Sequence, residues 1–79
     1  MTMTPERIDA ITMRLDQLTH YTNCTDTWHD GIPFNLETLA YKSGLNSTRP
    51  QMIQELRIVG NVYGLTFRHN GDYCWFDEE

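Results

Sequence analysis

The pair Asn70-Gly71 constrains the fold of this chain more than any other feature, because strand-like runs flank it in VYGLTFRHNGDYCWFDEE. Asn-Gly between alternating residues is the strongest short-range signal for a β-hairpin, since a type I′ turn needs positive φ at both central positions. A two-residue loop at this pair sets Arg68 opposite Tyr73 and Phe67 opposite Cys74. Opposed residues share a face, which predicts a core-facing side made of Leu65, Phe67, Cys74 and Phe76.

The other face of the predicted hairpin combines aromatic, hydroxyl and basic side chains. Its members are Thr66, Arg68, Tyr73 and Trp75. An exposed Trp and Tyr beside an Arg have the composition of a contact surface. The alternative is that Trp75 packs beneath the long loop at 21–33, in which case it belongs to the core.

An amphipathic helix is predicted near the N-terminus, in TPERIDAITMRLDQLTHY. Thr4 can cap this helix, Pro5 suits its first position, and we expect it to span about 5–21. Apolar residues recur at helical spacing at Ile8, Ile11, Leu15 and Leu18. This stripe lasts barely two heptads, which favours a core-facing side over a coiled-coil seam. A loop is expected over 22–31.

A short second helix is predicted in IPFNLETLAYKSG. Asn35 is a good N-cap, and the spacing of Phe34 and Leu39 is that of a hydrophobic staple. Gly44 is expected to end the segment in the left-handed conformation.

A third helix is predicted in TRPQMIQELRIVGN. Thr48 caps it, Pro50 lies in its first turn, and it should end near Gly60 and Asn61. Its inward face is expected to consist of Met52, Ile53, Leu56 and Val59.

Length and composition narrow the classes of function. A chain of 79 residues forms one small domain, 1–79, without room for a deep substrate cleft, so we expect no enzyme and no cofactor. It has neither an apolar run long enough to cross a bilayer nor the pattern of a signal peptide, which predicts a cytoplasmic protein that does not bind membranes. Within this domain, the second and third predicted helices and the hairpin occupy about 32–77.

The net charge of −5 argues against general attraction to nucleic acid, but the charge is unevenly distributed. Residues 1–41 carry −4, residues 42–68 carry +3, and residues 69–79 carry −4. The one basic segment therefore coincides with the predicted turn and third helix.

The order of short strand, short helix, turn, helix and hairpin resembles a winged helix-turn-helix domain of the small bacterial or phage type. The resemblance covers about 31–77 and is carried by LAYKSGLNS, RPQMIQELRIVG and YGLTFRHNGDYCWF. It implies an α+β fold of three helices plus a C-terminal hairpin wing. Such domains typically place the third helix in the DNA major groove while the wing contacts the backbone or minor groove, although many bind only protein.

The resemblance makes a small DNA-binding regulator the leading expectation. Projecting the third helix at about 100° per residue, with Leu56 inward, places Ser47, Gln51, Gln54 and Ile58 outward and Arg57 at the edge. Glutamine amides can pair with adenine, which makes Gln51 and Gln54 candidate readers of base sequence. The candidate phosphate contacts on double-stranded DNA are Lys42, Arg49, Arg57 and Arg68.

The competing expectation is a protein-interaction module, for example an acidic phage-type inhibitor of a host or regulatory protein. Ile58 on the outward helix face fits a protein interface better than a DNA interface, and the overall charge favours the same class. The anchors would be Ile58, Tyr73 and Trp75. The sequence leaves open whether the chain forms a homodimer.

Two catalytic or metal hypotheses are disfavoured. A Cys2His2 zinc site can be drawn from Cys24, His29, His69 and Cys74, but strong zinc signals have a two-residue cysteine spacing, and alternation turns Cys74 towards the core. Cys74 or Ser47 could be a nucleophile beside a histidine, yet no nucleophile elbow or phosphate loop accompanies them. We therefore expect no metal and no catalytic residue.

Overall fold

The computed structural model describes residues 3–20 and 27–78. Its first element, helix α1, spans Pro5–Thr19, and the Thr4 side chain accepts a hydrogen bond from the Arg7 amide, as the N-cap prediction required. Ile11 and Leu15 are completely buried. The helix ends before the predicted residue 21, which lies outside the described residues, because His20 already has an extended backbone.

A single 3₁₀ turn, Trp28–Asp30, lies within the segment that was predicted as loop. The side chains of Thr27 and Asp30 form a reciprocal capping box around it. Trp28 is completely buried, and its indole Nε1 donates a hydrogen bond of 2.7 Å to Asp16 of α1. This turn therefore anchors the connection between the helix and the sheet in the core.

The second predicted helix is present in part as a π-helix. Strand β1 is Phe34–Asn35, and the π-helix spans Thr38–Lys42. Leu36 and Glu37 are already helical, so Asn35 directly precedes the helical segment, and its side chain accepts from the Thr38 amide at 3.0 Å. Phe34 and Leu39 are both buried, as the staple predicted. Gly44 has the expected left-handed backbone, with φ of 86°.

Helix α2 spans Arg49–Tyr63 and is the predicted third helix. The Thr48 side chain caps it, as expected. The predicted end near Gly60 and Asn61 is wrong, since the helix continues to Tyr63 and the left-handed C-cap is Gly64, with φ of 71°. Gly60 instead lies within the helix, where a Cβ would come within 2.8 Å of the Leu65 carbonyl oxygen. This glycine allows the helix and the following strand to approach closely.

Replacing Gly60 by Ala should destabilise the domain by about 1–3 kcal/mol, because the methyl group collides with backbone rather than with a flexible side chain. This loss should outweigh the better helix propensity of alanine, about 1 kcal/mol. Chemical denaturation checks the expectation, with Asn61→Ala, at the exposed neighbouring position, as the control. A Gly60→Ala variant as stable as this control would refute the proposed close contact.

The C-terminal hairpin consists of β2, Leu65–Asn70, and β3, Tyr73–Glu78. Its predicted register is wrong: the two-residue turn is Gly71-Asp72, so Arg68 pairs with Trp75 rather than Tyr73. The tertiary contacts of Asp72 hold it in the turn, where its carbonyl oxygen accepts from the Leu36 amide at 2.8 Å.

The register correction leaves the faces of the hairpin unchanged, because every partner moves by two residues and side chains alternate with period two. Phe67 now pairs with Phe76 and His69 with Cys74. Arg68 and Tyr73 are exposed, as predicted. The buried face is the expected one, made of Leu65, Phe67, Cys74 and Phe76.

The three strands form one antiparallel sheet in the order β1-β3-β2. The buried face of the hairpin lies against α2, where a Cβ on Gly60 would be 3.3 Å from the Phe76 ring. The architecture is thus the predicted small α+β fold of three helices and a C-terminal hairpin, a layout consistent with a winged helix. Among the described residues, no helix has the length and apolar character needed to cross a membrane.

Candidate functional site

Ser47 does not face outward, as the helical projection predicted. The residue is 3% exposed and precedes α2, where helical angles no longer apply. Its hydroxyl donates to Glu55 Oε1 at 2.9 Å and also accepts from Arg7 of α1. Ser47 is therefore part of a buried polar cluster, and the outward placement that we predicted for it is wrong.

The buried cluster, defined as Arg7, Ser47 and Glu55, joins α1 to α2. The Arg7 guanidinium binds both carboxylate oxygens of Glu55, at 2.7 and 3.1 Å, and donates to the Leu45 carbonyl at 3.0 Å. Such bidentate pairing combines charge attraction with a defined orientation. Sequence analysis missed this cluster because Arg7 and Glu55 are 48 residues apart.

The protonation of Glu55 reflects two opposing effects. Burial disfavours the charged carboxylate, but hydrogen bonds from Arg7 and Ser47, together with the charge of Arg7, lower the pKa of Glu55 below its ordinary value. The pKa of Arg7 is raised, chiefly by its hydrogen bond to Glu55. Both residues are therefore charged near neutral pH, and their ion pair links α1 to α2.

Arg49, a predicted phosphate contact, is engaged within the domain. Its guanidinium makes two hydrogen bonds to Asp72 in the hairpin turn, at 3.0 and 3.1 Å, and lies 3.5 Å from Glu37. The hydrogen bond from Arg49 lowers the pKa of Asp72. These contacts hold the turn against the N-terminus of α2, so the hairpin tip does not extend freely from the domain.

The remaining predicted phosphate contacts differ in their pairing. Arg68 forms an ion pair of 2.6 Å with Asp77 across the hairpin. Lys42 and Arg57 are exposed and form no ion pair within residues 3–20 and 27–78. Two of the four predicted cations therefore already have acidic partners.

The outward face of α2 is largely polar. Gln51, Gln54 and Arg57 are exposed, as the projection predicted, while Ile58 is half-buried. The glutamine side chains that are predicted to read bases are accessible. Of the predicted phosphate contacts, Arg57 lies beside them on this face.

Two aromatic side chains lie together on the outer face of the hairpin. Tyr73 is 58% exposed, Trp75 is half-buried, and their ring centroids are 5.6 Å apart. Arg68 lies directly opposite Trp75. We call Arg68, Tyr73 and Trp75 the outer-face patch. The alternative placement of Trp75 beneath the loop at 21–33 involves residues 21–26, which lie outside the described part of the chain.

A surface groove of about 390 Å³ borders the outer-face patch at Tyr73. It is lined by Leu18, Pro33, Phe34, Asn35, Thr38, Asp72 and Tyr73. Tyr73 thus has an open concave surface on one side and the Trp75 ring on the other.

The structure does not unite the three predicted protein-binding anchors. Tyr73 and Trp75 lie on the face of the hairpin that points away from α2, whereas Ile58 belongs to α2 itself. A single flat partner surface cannot cover both sides of the hairpin, so Ile58 is not part of the outer-face patch.

The Cys2His2 zinc site that the sequence analysis considered includes Cys24, which lies outside the described residues. His29 is exposed and stacks on Trp28, with ring centroids 3.7 Å apart, while His69 stacks on Phe67 at 5.6 Å. No group of three or more potential metal ligands occurs within residues 3–20 and 27–78.

Cys74 should be chemically unreactive in the folded domain. Its thiol is completely buried, and burial raises its pKa to about 12, with a smaller effect from the charge of Asp72. Iodoacetamide at pH 8 should therefore leave Cys74 unmodified in the native protein and alkylate it in denaturant. Peptide mass spectrometry separates this residue from Cys24, and rapid native labelling of Cys74 would contradict the expected burial.

Comparison with known proteins yields no match to a family model, to a curated protein or to a solved structure. The candidate surfaces are therefore judged on their geometry and charge.

Proposed function

We propose that this domain acts by binding another protein through the outer-face patch. The observation that carries the proposal is the adjacent pair Tyr73 and Trp75 on an open sheet face. Tyrosine, tryptophan and arginine are enriched among the residues that dominate the binding energy of protein interfaces. Tyrosine and tryptophan bury much area for little loss of conformational freedom. The net charge of −5 suits a partner with a basic or neutral contact region.

The pairing of cations supports a protein partner over duplex DNA. Affinity for DNA depends on cations that neutralise phosphates and release counterions. Arg49 and Arg68 would first have to leave Asp72 and Asp77, respectively, and each released carboxylate would then repel the phosphate backbone. Of the four predicted phosphate contacts, Lys42 and Arg57 do not carry that cost within the described residues, so we expect the attraction to duplex DNA to be weak.

Duplex DNA remains the second candidate ligand, on one specific observation. Gln51 and Gln54 are exposed on α2 beside Arg57, which forms no ion pair in the described part of the chain, and their side chains are suited to base edges. This reading keeps the family resemblance, in which α2 would enter the major groove.

The outer-face patch can be tested by selecting ligands from a displayed peptide library and measuring their affinity for variants. Trp75→Ala should weaken binding at least about tenfold, since an anchor contributes 2 kcal/mol or more when truncated. Met13→Ala is the matched control, because Met13 is 57% exposed on α1, away from the patch. Selected ligands that bind both variants equally would rule out this patch.

Titration of mixed-sequence duplex DNA at low salt tests the second candidate. Under the proposal, the domain shows no detectable duplex binding. If binding does occur, Arg57→Ala should reduce the slope of log affinity against log salt by about 0.9, and Gln51→Ala should relax preference at one base pair. That pattern would replace the protein-binding proposal with the DNA-binding one.

A further inference from the structure

The hairpin has one long strand edge that pairs with no other strand of the described chain. The strand order β1-β3-β2 leaves β2 at the edge of the sheet, with no strand of the described chain on the side away from β3. In an antiparallel ladder closed by the turn Gly71-Asp72, alternate residues direct their backbone groups outward. These residues include Phe67 and His69, for which no other backbone hydrogen bond is formed within the described residues.

A groove runs between this edge and the exposed side of α2. Its volume is about 360 Å³, and its lining consists of Arg57, Asn61, Leu65, Thr66 and Phe67. The helix therefore forms one wall and the edge of β2 the other. An extended chain seated there could bond with the backbone of β2 while its inward side chains face α2.

The charge of the groove selects the kind of chain that fits it. Arg57 is exposed and forms no ion pair within residues 3–20 and 27–78, and Asn61 beside it adds an amide donor. An acidic side chain on the inward side of an added strand would meet both groups. A second copy of this chain fits less well, because β2, Leu65–Asn70, contains no acidic residue that could pair with Arg57.

We propose that the edge of β2 binds an extended acidic segment of a partner protein as a fourth strand, with Arg57 selecting a carboxylate at an inward position. Backbone hydrogen bonds supply the general affinity in this mode, and alternate side chains supply the specificity. The site is separate from the outer-face patch, because the backbone edge and α2 form it rather than the outward side chains of Tyr73 and Trp75.

The probe is a capped seven-residue peptide, Thr-Val-Thr-Glu-Thr-Val-Thr, added to the isotope-labelled full chain and followed by two-dimensional NMR. Its Val and Glu side chains can all point inward, since they occupy alternate positions. We expect the largest shifts at the Phe67 and His69 amides. Replacing the peptide Glu by Gln, or Arg57 by Glu, should lower the affinity at least about tenfold, since each removes the charge pair.

Two controls separate this site from others. Methylating the peptide backbone nitrogens that face β2 should abolish binding, whereas Met13→Ala, at an exposed position on α1, should leave the affinity unchanged. Absence of shifts in β2 at millimolar peptide, or equal affinity of the Arg57→Glu variant, would overturn the proposal. Dimerisation of the chain through β2 in place of peptide binding, detected by sedimentation, would also overturn it.

Discussion

Replacing Trp28 by Ala should remove about 3–5 kcal/mol from the free energy of unfolding. Trp28 is completely buried, lies 5.2 Å from the Phe76 ring and 5.3 Å from the Tyr63 ring, and bonds to Asp16. A small domain has a total stability near the low end of about 5–15 kcal/mol, so the variant should be close to unfolding. Denaturation by urea, followed by circular dichroism, measures the change.

The other tryptophan of the chain provides a matched control for this substitution. Trp75 is half-buried on the outer face of the hairpin, so Trp75→Ala should cost far less than Trp28→Ala. Trp28→Phe should fall between them, because it keeps an aromatic ring and leaves the exposed Asp16 to bond with water. Similar midpoints for the two alanine variants would contradict the central position of the 3₁₀ turn in the core.

Replacing Arg7 by Met should destabilise the domain by about 2–4 kcal/mol, because it leaves the Glu55 carboxylate buried without its cation. This loss of stability is smaller than that expected for a fully buried ion pair, since the Arg7 side chain is 28% exposed, although that of Glu55 is only 5% exposed. Glu55→Gln should cost less, because Arg7 still reaches solvent and the amide can still bond to Ser47. Arg14→Met is the control on the same helix, since the side-chain partner of Arg14 among the described residues is the neutral Gln17.

The effect of Arg7→Met should depend on pH in a defined direction. In the native protein the lowered pKa of Glu55 contributes stability above its ordinary value of 4.5, and this is lost as pH falls through the lowered pKa. In the variant, burial acts without the cation and favours the protonated acid. The stability difference between the two proteins should therefore shrink below pH 4.5. A gap that widens on acidification would exclude the charged pair as its cause.

The local sequence was sufficient to predict most helix starts and the faces of the hairpin. Thr4, Asn35 and Thr48 cap helices as predicted, because a capping side chain acts on an amide two or three residues away. Phe67 and Phe76 are buried because strand alternation survives an error of register. Each of these features depends only on neighbours along the chain.

Features that depend on distant residues were not predictable in this way. Helix α2 ends at Tyr63 rather than near Gly60, because Gly60 allows the close approach of Leu65 instead of forming the cap. The hairpin turn is Gly71-Asp72 rather than Asn70-Gly71, and hydrogen bonds from Arg49 and Leu36 hold Asp72 in this turn. Glycine and aspartate favour turns in the sequence alone, so their other roles appear only when the packed partners are known.

The candidate site shows the same division between local pattern and tertiary contact. Alternation alone placed Tyr73 and Trp75 on one face, and α2 periodicity predicted the exposure of Gln51 and Gln54, so the sequence by itself determined the placement of these four side chains but not that of Ser47. Only the tertiary structure decided which charges remain available, because Arg49 pairs with an acid 23 residues away. Charge pairing acts through space, and a count of basic residues along the chain cannot show which of them the fold has already neutralised.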